Sequence, residues 1–211
     1  GLLHLEDGGD RTLETVWNAG GWEAARPFYE EAIRLLAALQ RAPAGDAEPK
    51  RLALGHGFDE ALFIRELHMT RRCAFEGLCG LPALEVDFEP PFTALAEALC
   101  ELPYALTHRD YHSRNLMARE EYSTGLLVLD FQDARLGPAV YDIASLVFDS
   151  YVPLPEEGRR ALVAQFRAES GAEVLFPAPE AFDSALCLTG LQRNLKAIGT
   201  FACQKTERGN P

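Results

Sequence analysis

Apolar residues recur every three to four positions over most of the chain, which is the pattern of helices that bury one face. Residues 23–41 are the clearest example, because their apolar positions share one helical face. These positions are Ala25, Phe28, Tyr29, Ala32, Ile33, Leu36 and Leu39. A shorter helix is predicted from Thr12 to Trp17, closed by Gly20 and Gly21. Residues 12–41 are therefore expected to be mainly helical.

Helical spacing returns several times after loops and proline-rich breaks. Further helices are predicted at about 59–79, 92–101, from 137 onward, 156–170 and about 180–204. Asp59 has the residue type and position of an N-cap. Gly137-Pro138 is expected to start its helix with proline in the first turn. The predicted class is α+β and mostly helical.

Three short stretches have the composition of strands. Residues 125–130 form an apolar run that ends in a carboxylate, and Leu116-Met117 can pair with it as a hairpin. Residues 1–9 are a third apolar stretch, which ends in an acidic, glycine-rich turn. The predicted layout is a set of helices packed round a small β hairpin.

Composition narrows the class of protein. Of 211 residues, 47% are hydrophobic and 25% are charged, which suits one domain with an ordinary core. The net charge of −12 argues against binding nucleic acid, which requires Lys and Arg to neutralise phosphates. No apolar run approaches the ~18 residues of a membrane span. We therefore expect a soluble cytoplasmic protein, and its oligomeric state is left open.

The cysteines number five, at positions 73, 79, 100, 187 and 203, and none of them form a C-x-x-C motif. An odd number without metal-type spacing argues against zinc ligands and against a disulfide framework. The sequence therefore predicts buried thiols in a reducing compartment.

Three polar residues surround the predicted hairpin. Asp110 lies in L-T-H-R-D-Y-H-S-R-N-L-M, Asn115 follows five residues later, and Asp130 ends the apolar run. Phosphoryl transfer needs a carboxylate that accepts the proton of the attacking hydroxyl, and oxygen ligands for Mg²⁺. The hairpin would bring Asn115 and Asp130 to one metal. We therefore predict Asp110 as the catalytic base and Asn115 and Asp130 as the metal ligands.

The order of these residues is that of a known catalytic pattern. H-R-D-x-x-x-x-N followed by D-F-x resembles the protein-kinase motifs, with Gln132 in place of the usual glycine. Only eleven residues separate Asp130 from Asp142, and no A-P-E follows, so there is no room for a peptide platform. The chain therefore resembles the aminoglycoside phosphotransferase and choline kinase superfamily more closely.

Three longer motifs carry a narrower resemblance. They are H-R-D-Y-H-S-R-N-L-M, L-D-F-Q-D-A-x-x-G-P-x-x-Y-D and G-L-Q-R-N-L-K-A-I-G-x-F-A. They are similar to those of bacterial kinases of cell-wall recycling that phosphorylate N-acetylmuramate and N-acetylglucosamine at the anomeric hydroxyl. The resemblance implies ATP and Mg²⁺ as cofactors and an amino sugar as the small-molecule partner.

The resemblance also implies a domain division. Residues 1–10 would be the hinge strand of a kinase-like fold, with Leu5, Glu6 and Asp7 holding adenine, and residues 11–211 the helical C-terminal lobe. An N-terminal lobe of this fold carries a phosphate-covering loop and a Lys held by a Glu. Neither is found in this sequence. We therefore expect the chain to be part of a larger enzyme and inactive alone.

The residues around Asp110 have more than one interpretation. Tyr111, His112 and Arg114 lie between base and metal ligand, so one or more should contact substrate or phosphate, although Arg114 could equally be a surface group. His108 and Asp142 are expected to brace the catalytic loop, meaning the segment around Asp110, since buried backbone donors need acceptors.

Two further groups of charged residues leave alternatives open. Asp133 could reach a second metal or cap the turn before residue 137. Gln192, Arg193 and Lys196 lie close to one face of the last predicted helix, as a solvated stripe or as a site for the lactyl carboxylate of N-acetylmuramate. Arg193 is the preferred ligand of that carboxylate, because its guanidinium can pair with it at two points.

Three functions remain open from the sequence. The first is the ATP-dependent amino-sugar kinase described above. The second is a kinase for a cationic acceptor, an aminoglycoside or choline, in which Glu156-Glu157 would belong to an acidic pocket. The third is a kinase-like binding module without activity.

Overall fold

The computed structural model of the chain describes residues 7–41, 57–81, 87–119 and 125–208. The α-helices of this described part are α1 (Leu13–Arg41), α2 (Glu60–Thr70), α3 (Glu89–Cys100), α4 (Tyr141–Val147), α5 (Glu156–Ser170), α6 (Ala172–Leu175) and α7 (Pro179–Arg208). Its strands are β1 (Tyr104–Thr107), β2 (Leu116–Ala118), β3 (Leu126–Val128) and β4 (Arg135–Pro138). None of these helices is long and apolar enough to cross a lipid bilayer.

Helix α1 consists of two helical segments separated by a kink. The kink lies at Gly21, whose φ of 64° and ψ of −157° are not helical. Glycine adopts this backbone conformation readily because it has no Cβ. The predicted break near Gly21 and the predicted helix over 23–41 are both confirmed.

Helix α2 begins where its cap was predicted. Asp59 accepts a hydrogen bond from the Leu62 N–H at 2.7 Å, which satisfies a backbone donor in the first turn. After Thr70 the chain continues as a π-helix over Arg71–Leu78. The predicted extent to about residue 79 is confirmed, but apolar spacing alone did not separate the π-helical part from the α-helical one.

The four strands form two antiparallel pairs. Strands β2 and β3 make the predicted hairpin, with Leu116 opposite Val128. Strands β1 and β4 form a second pair, which was not predicted, with Ala105 opposite Gly137. Gly137 and Pro138 therefore belong to a strand, and helix α4 begins only at Tyr141. The prediction that Gly137-Pro138 starts a helix is wrong, because proline is tolerated at the end of an edge strand as well as in a first helical turn.

The two largest hydrophobic clusters of the described residues hold most of these elements together. The larger joins α1, α4 and α5 to the β2–β3 hairpin, with Leu13, Tyr29 and Leu116 fully buried. The smaller joins α2 and α3 to Tyr141 of α4. Each large apolar side chain contributes about 1.5–3 kcal/mol when it is buried. Tyr111, in the segment that connects β1 to β2, belongs to the larger cluster and anchors that segment to the core.

The cysteines do not follow the sequence prediction. Cys73 of the π-helix and Cys203 of α7 form a disulfide across 130 residues of sequence. Cys79, Cys100 and Cys187 are exposed free thiols. The prediction of buried thiols is wrong, since number and spacing in the sequence do not show which residues meet in the fold.

Candidate active site

The segment after β1 turns sharply at Arg109, whose φ is 82°. A left-handed backbone at a residue other than glycine costs of the order of 1–3 kcal/mol. Asp142 compensates this cost, since its Oδ2 accepts a hydrogen bond from the His108 N–H at 2.6 Å and its Oδ1 one from the Arg109 N–H at 2.9 Å. Asp142 is fully buried, and burial raises the pKa of its carboxyl against the effect of these two hydrogen bonds.

Asp110 follows this turn and faces a cleft of about 310 Å³. The Nζ atom of Lys196 lies 3.5 Å from its Oδ1, and Nη1 of Arg193 lies 3.8 Å from the same oxygen. Burial alone would raise the pKa of Asp110, but the charges of Lys196, Arg193 and Arg109 outweigh it and lower that pKa. Asp110 is therefore an ionised carboxylate that can accept a hydrogen bond from a hydroxyl group.

The β2–β3 hairpin brings Asn115 and Asp130 to its end. The N–H of Leu129, the residue just before Asp130, donates a hydrogen bond to the Asn115 carbonyl at 2.9 Å. Asn115 uses its amide nitrogen to donate to the Asp110 carbonyl at 2.9 Å, which leaves its amide oxygen for a ligand. Asp130 is exposed, and its Oδ1 accepts a hydrogen bond from Gln132. Two hard oxygen donors at one hairpin end suit Mg²⁺.

Tyr111 and His108 lie away from the cleft. The Tyr111 side chain is 1% exposed, and its hydroxyl donates to the Ala32 carbonyl at 2.7 Å. The expectation that Tyr111 contacts substrate therefore conflicts with its place in the core. Neither ring nitrogen of His108 has a hydrogen-bond partner among the described residues, and the ring packs edge-on against Tyr111. His108 contacts its surroundings through its ring packing and its backbone N–H, and its role as a brace stays a prediction.

His112 and Arg114 differ in their access to the cleft. His112 lines it, and burial lowers the pKa of its imidazole although the nearby Asp149 opposes this. Arg114 is half exposed and pairs with Glu14 at two points, over 2.8 and 3.0 Å. Its guanidinium lies 3.7 Å from the centre of the Tyr151 ring. The geometry of Arg114 therefore fits the alternative in which it is a surface group.

The three polar residues of α7 are not a solvated stripe. Gln192 is fully buried, and Arg193 and Lys196 line the cleft beside Asp110. Only 12% of the Arg193 side chain is exposed, and Nη1 donates to the Tyr141 hydroxyl at 3.3 Å. The solvated interpretation is wrong because α7 turns this face toward the catalytic loop.

Sequence reasoning missed the role of Glu66 in this site. Its carboxylate is 7% exposed and accepts hydrogen bonds from Arg109 at 3.1 Å and from Gln192 at 2.7 Å. Lys196 lies 3.8 Å from the same group. Arg109 also donates to Asp133 at 3.2 Å, so Asp133 pairs with the catalytic loop. The one available signal was an acidic residue on the apolar face of a helix.

The predicted adenine-binding residues lie at the start of the chain. Leu5 and Glu6 fall outside the described residues. Asp7 is exposed, and its Oδ1 accepts a hydrogen bond from the Gly9 N–H at 2.9 Å. A Cβ on Gly8 would lie 3.2 Å from Leu127, so this part of the chain passes beside the β2–β3 hairpin.

The chain belongs to the phosphotransferase enzyme family, which it matches over residues 3–182. It is 34% identical over 212 residues to the N-acetylmuramate/N-acetylglucosamine kinase of Pseudomonas aeruginosa, covering 96% of this chain and 57% of that protein. It is 31% identical to the N-acetylmuramate/N-acetylglucosamine kinase of Neisseria meningitidis, and the match covers 96% of this chain and 59% of that protein. The chain thus spans little more than half the length of these relatives.

Solved structures confirm the fold. An ethanolamine kinase of Plasmodium vivax gives a TM-score of 0.62 at 16% identity, over 96% of this chain and 59% of that one. A choline kinase of Cryptosporidium parvum gives a TM-score of 0.52 at 13% identity, over 97% of this chain and 69% of that one. The predicted class is confirmed: the chain has the mostly helical C-terminal lobe of the protein-kinase-like fold, and the superfamily resemblance is correct.

Proposed function

We propose that the full-length protein, meaning this chain with any sequence that accompanies it natively, is an ATP-dependent small-molecule kinase of the cytoplasm. The observation that carries this is the position of Asp110 at the cleft, joined through the Asn115 side chain to the hairpin end that also holds Asp130. Membership of the phosphotransferase family supports the same reaction class.

In this proposal each group has one task. Asn115 and Asp130 would hold Mg²⁺, which would neutralise charge on the transferred phosphoryl group. Asp110 accepts a hydrogen bond from the acceptor hydroxyl, aims its oxygen at the phosphorus and receives its proton. Asp142 keeps Asp110 in place through the two backbone hydrogen bonds. Positioning and electrostatics supply most of the catalysis in such reactions.

We propose an amino sugar as acceptor, with the anomeric hydroxyl of N-acetylmuramate or N-acetylglucosamine phosphorylated during cell-wall recycling. Lys196 and Arg193 put two positive charges within 4 Å of the Asp110 carboxylate. These positive charges favour binding of the carboxylate of N-acetylmuramate and disfavour binding of a cationic aminoglycoside or choline. Glu156 and Glu157 do not line the cleft, and Glu156 pairs with Arg160 at the surface.

The domain division belongs to the same proposal. Residues 1–10 would be the hinge and 11–211 the C-terminal lobe, with the phosphate-covering lobe encoded elsewhere in the full-length protein. The chain spans 57% of the length of the Pseudomonas aeruginosa relative, which supports this division. Residues 1–211 alone should then show no kinase activity.

An acceptor panel tests the function. The full-length protein is incubated with Mg·ATP and N-acetylmuramate, N-acetylglucosamine, kanamycin or choline, and ADP release and product mass are measured. Asp110→Ala is the control for background hydrolysis. The proposal expects the sugars to be phosphorylated. Turnover of kanamycin or choline alone would overturn the sugar assignment, and no turnover at all would indicate a binding module.

A further inference from the structure

We propose that Glu66 is a positioning residue for phosphoryl transfer, which shares Lys196 with the carboxylate of Asp110 and so keeps Lys196 from pairing tightly with it. The inference rests on the proposed function, because it concerns the catalytic base of that reaction. Glu66 lies on α2, 43 residues before Arg109 and 126 before Gln192. It does not touch the reacting atoms and acts through its partners.

The contacts of Asp110 are loose. Its closest cationic atoms lie at 3.5 Å for Lys196 and 3.8 Å for Arg193. A tight pair of a carboxylate with Lys or Arg has an N···O distance of about 2.7–2.9 Å. Because neither cation reaches that distance, lone pairs of Asp110 remain available to the acceptor hydroxyl.

The charge balance explains what keeps the cations at this distance. Arg109, Arg193 and Lys196 line the same cleft as Asp110, and Glu66 is a nearly buried carboxylate that contacts Arg109 and Lys196. Buried cations require a counter-charge. If Glu66 loses its charge, Lys196 keeps its ion pair with Asp110 and Arg109 keeps its ion pair with Asp133. We then expect Lys196 to close onto Asp110 and block it.

Glu66→Gln in the full-length protein tests the inference, since it removes the charge and keeps the size. With N-acetylglucosamine, which has no carboxylate to bind Lys196, kcat should fall about tenfold or more while KM for ATP stays within about twofold. Glu66→Asp, which keeps the charge, should lose less. Glu30→Gln is the matched control, because Glu30 pairs with Arg26 on the exposed side of α1.

A second substitution separates positioning from a merely structural role. Adding Lys196→Met to Glu66→Gln removes the cation that blocks the base, so kcat should rise above that of Glu66→Gln alone. A Glu66→Gln variant with wild-type kcat, or a double variant no better than the single one, would overturn the inference. If Glu66→Gln does not fold, the same comparison is made with Glu66→Asp, and a loss that Lys196→Met does not relieve overturns it.

Assays of the wild-type protein distinguish a failure of the sugar assignment from a failure of the inference about Glu66. If it phosphorylates only choline or kanamycin, the sugar assignment fails, and the Glu66 variants are measured with that acceptor. If it phosphorylates a sugar and Glu66→Gln is fully active, only the inference about Glu66 fails. If it phosphorylates nothing, both fail together.

Discussion

The backbone N–H of His108 donates a hydrogen bond of 2.6 Å to Asp142, 34 residues further along the chain. Asp142 lies in the first turn of α4, a helix whose residues are all buried, so the acceptor has little freedom to move. Its second oxygen binds the strained Arg109 N–H. The shape of the catalytic loop therefore depends on a carboxylate from another element.

Asp142→Asn should weaken this support. An amide has one oxygen, so one of the two N–H groups would face an NH₂ group and remain unsatisfied. We expect the free energy of unfolding to fall by about 1–3 kcal/mol, the cost of an unpaired buried donor. Urea unfolding measures it. Asp183→Asn is the control, because Asp183 is exposed and pairs weakly with Arg167 at 3.5 Å. Equal losses in both variants would contradict the assignment.

Local sequence patterns account for the parts of the fold that could be predicted. The kink at Gly21, the cap at Asp59 and the β2–β3 hairpin each depend on residues near one another in sequence. The β1–β4 pair could not be predicted in this way, since it joins Tyr104 to Pro138 through strands of four residues. In such short strands the pairing partner matters more than intrinsic preference.

The candidate site was predictable only in part for a similar reason. Asp110, Asn115 and Asp130 come from motifs with fixed spacing. Which neighbour faces the cleft depends on the backbone: after the turn at Arg109, His112 lines the cleft while Tyr111 enters the core. No local pattern contains that information.

Gly199→Ala should separate α7 from α2. A Cβ at this position would lie 2.5 Å from Oγ1 and 2.8 Å from Cα of Thr70. Glycine to alanine inside a helix normally gains about 1 kcal/mol. Here we expect a net loss of about 1–3 kcal/mol, because overpacking outweighs that gain. Thermal or urea unfolding measures it, with Ser184→Ala at an exposed position of the same helix as control. A stabilised Gly199→Ala would show that the two helices are less closely packed.

Replacing Asp110 and replacing Asp130 by alanine should have different effects on kcat and on Mg·ATP binding. Asp110→Ala removes the base and should lower kcat of the full-length protein by about 10²-fold or more, with the affinity for Mg·ATP little changed. Asp130→Ala should also weaken Mg·ATP binding, because it removes an oxygen ligand. Steady-state kinetics and titration with a non-hydrolysable nucleotide measure the two effects. Similar small losses at both positions would overturn the assigned roles.

Arg193 should discriminate between the two sugars. N-acetylmuramate carries a lactyl carboxylate that N-acetylglucosamine lacks, and the whole chain carries a net charge of −12. An anion can bind against that background only through short-range pairs. The Arg193 guanidinium is nearly buried beside Asp110, where such a pair is strong.

Arg193→Ala should therefore reduce kcat/KM for N-acetylmuramate more than for N-acetylglucosamine. The ratio of the two should fall by about 5- to 150-fold, which corresponds to the ~1–3 kcal/mol of a charged hydrogen bond. N-acetylglucosamine is the internal control for any displacement of Asp110, since Arg193 also contacts that carboxylate. Arg193→Lys keeps the charge but not the two-point geometry and should lose less. An unchanged ratio would mean that Arg193 serves Asp110 and Tyr141 alone and that the lactyl carboxylate binds elsewhere.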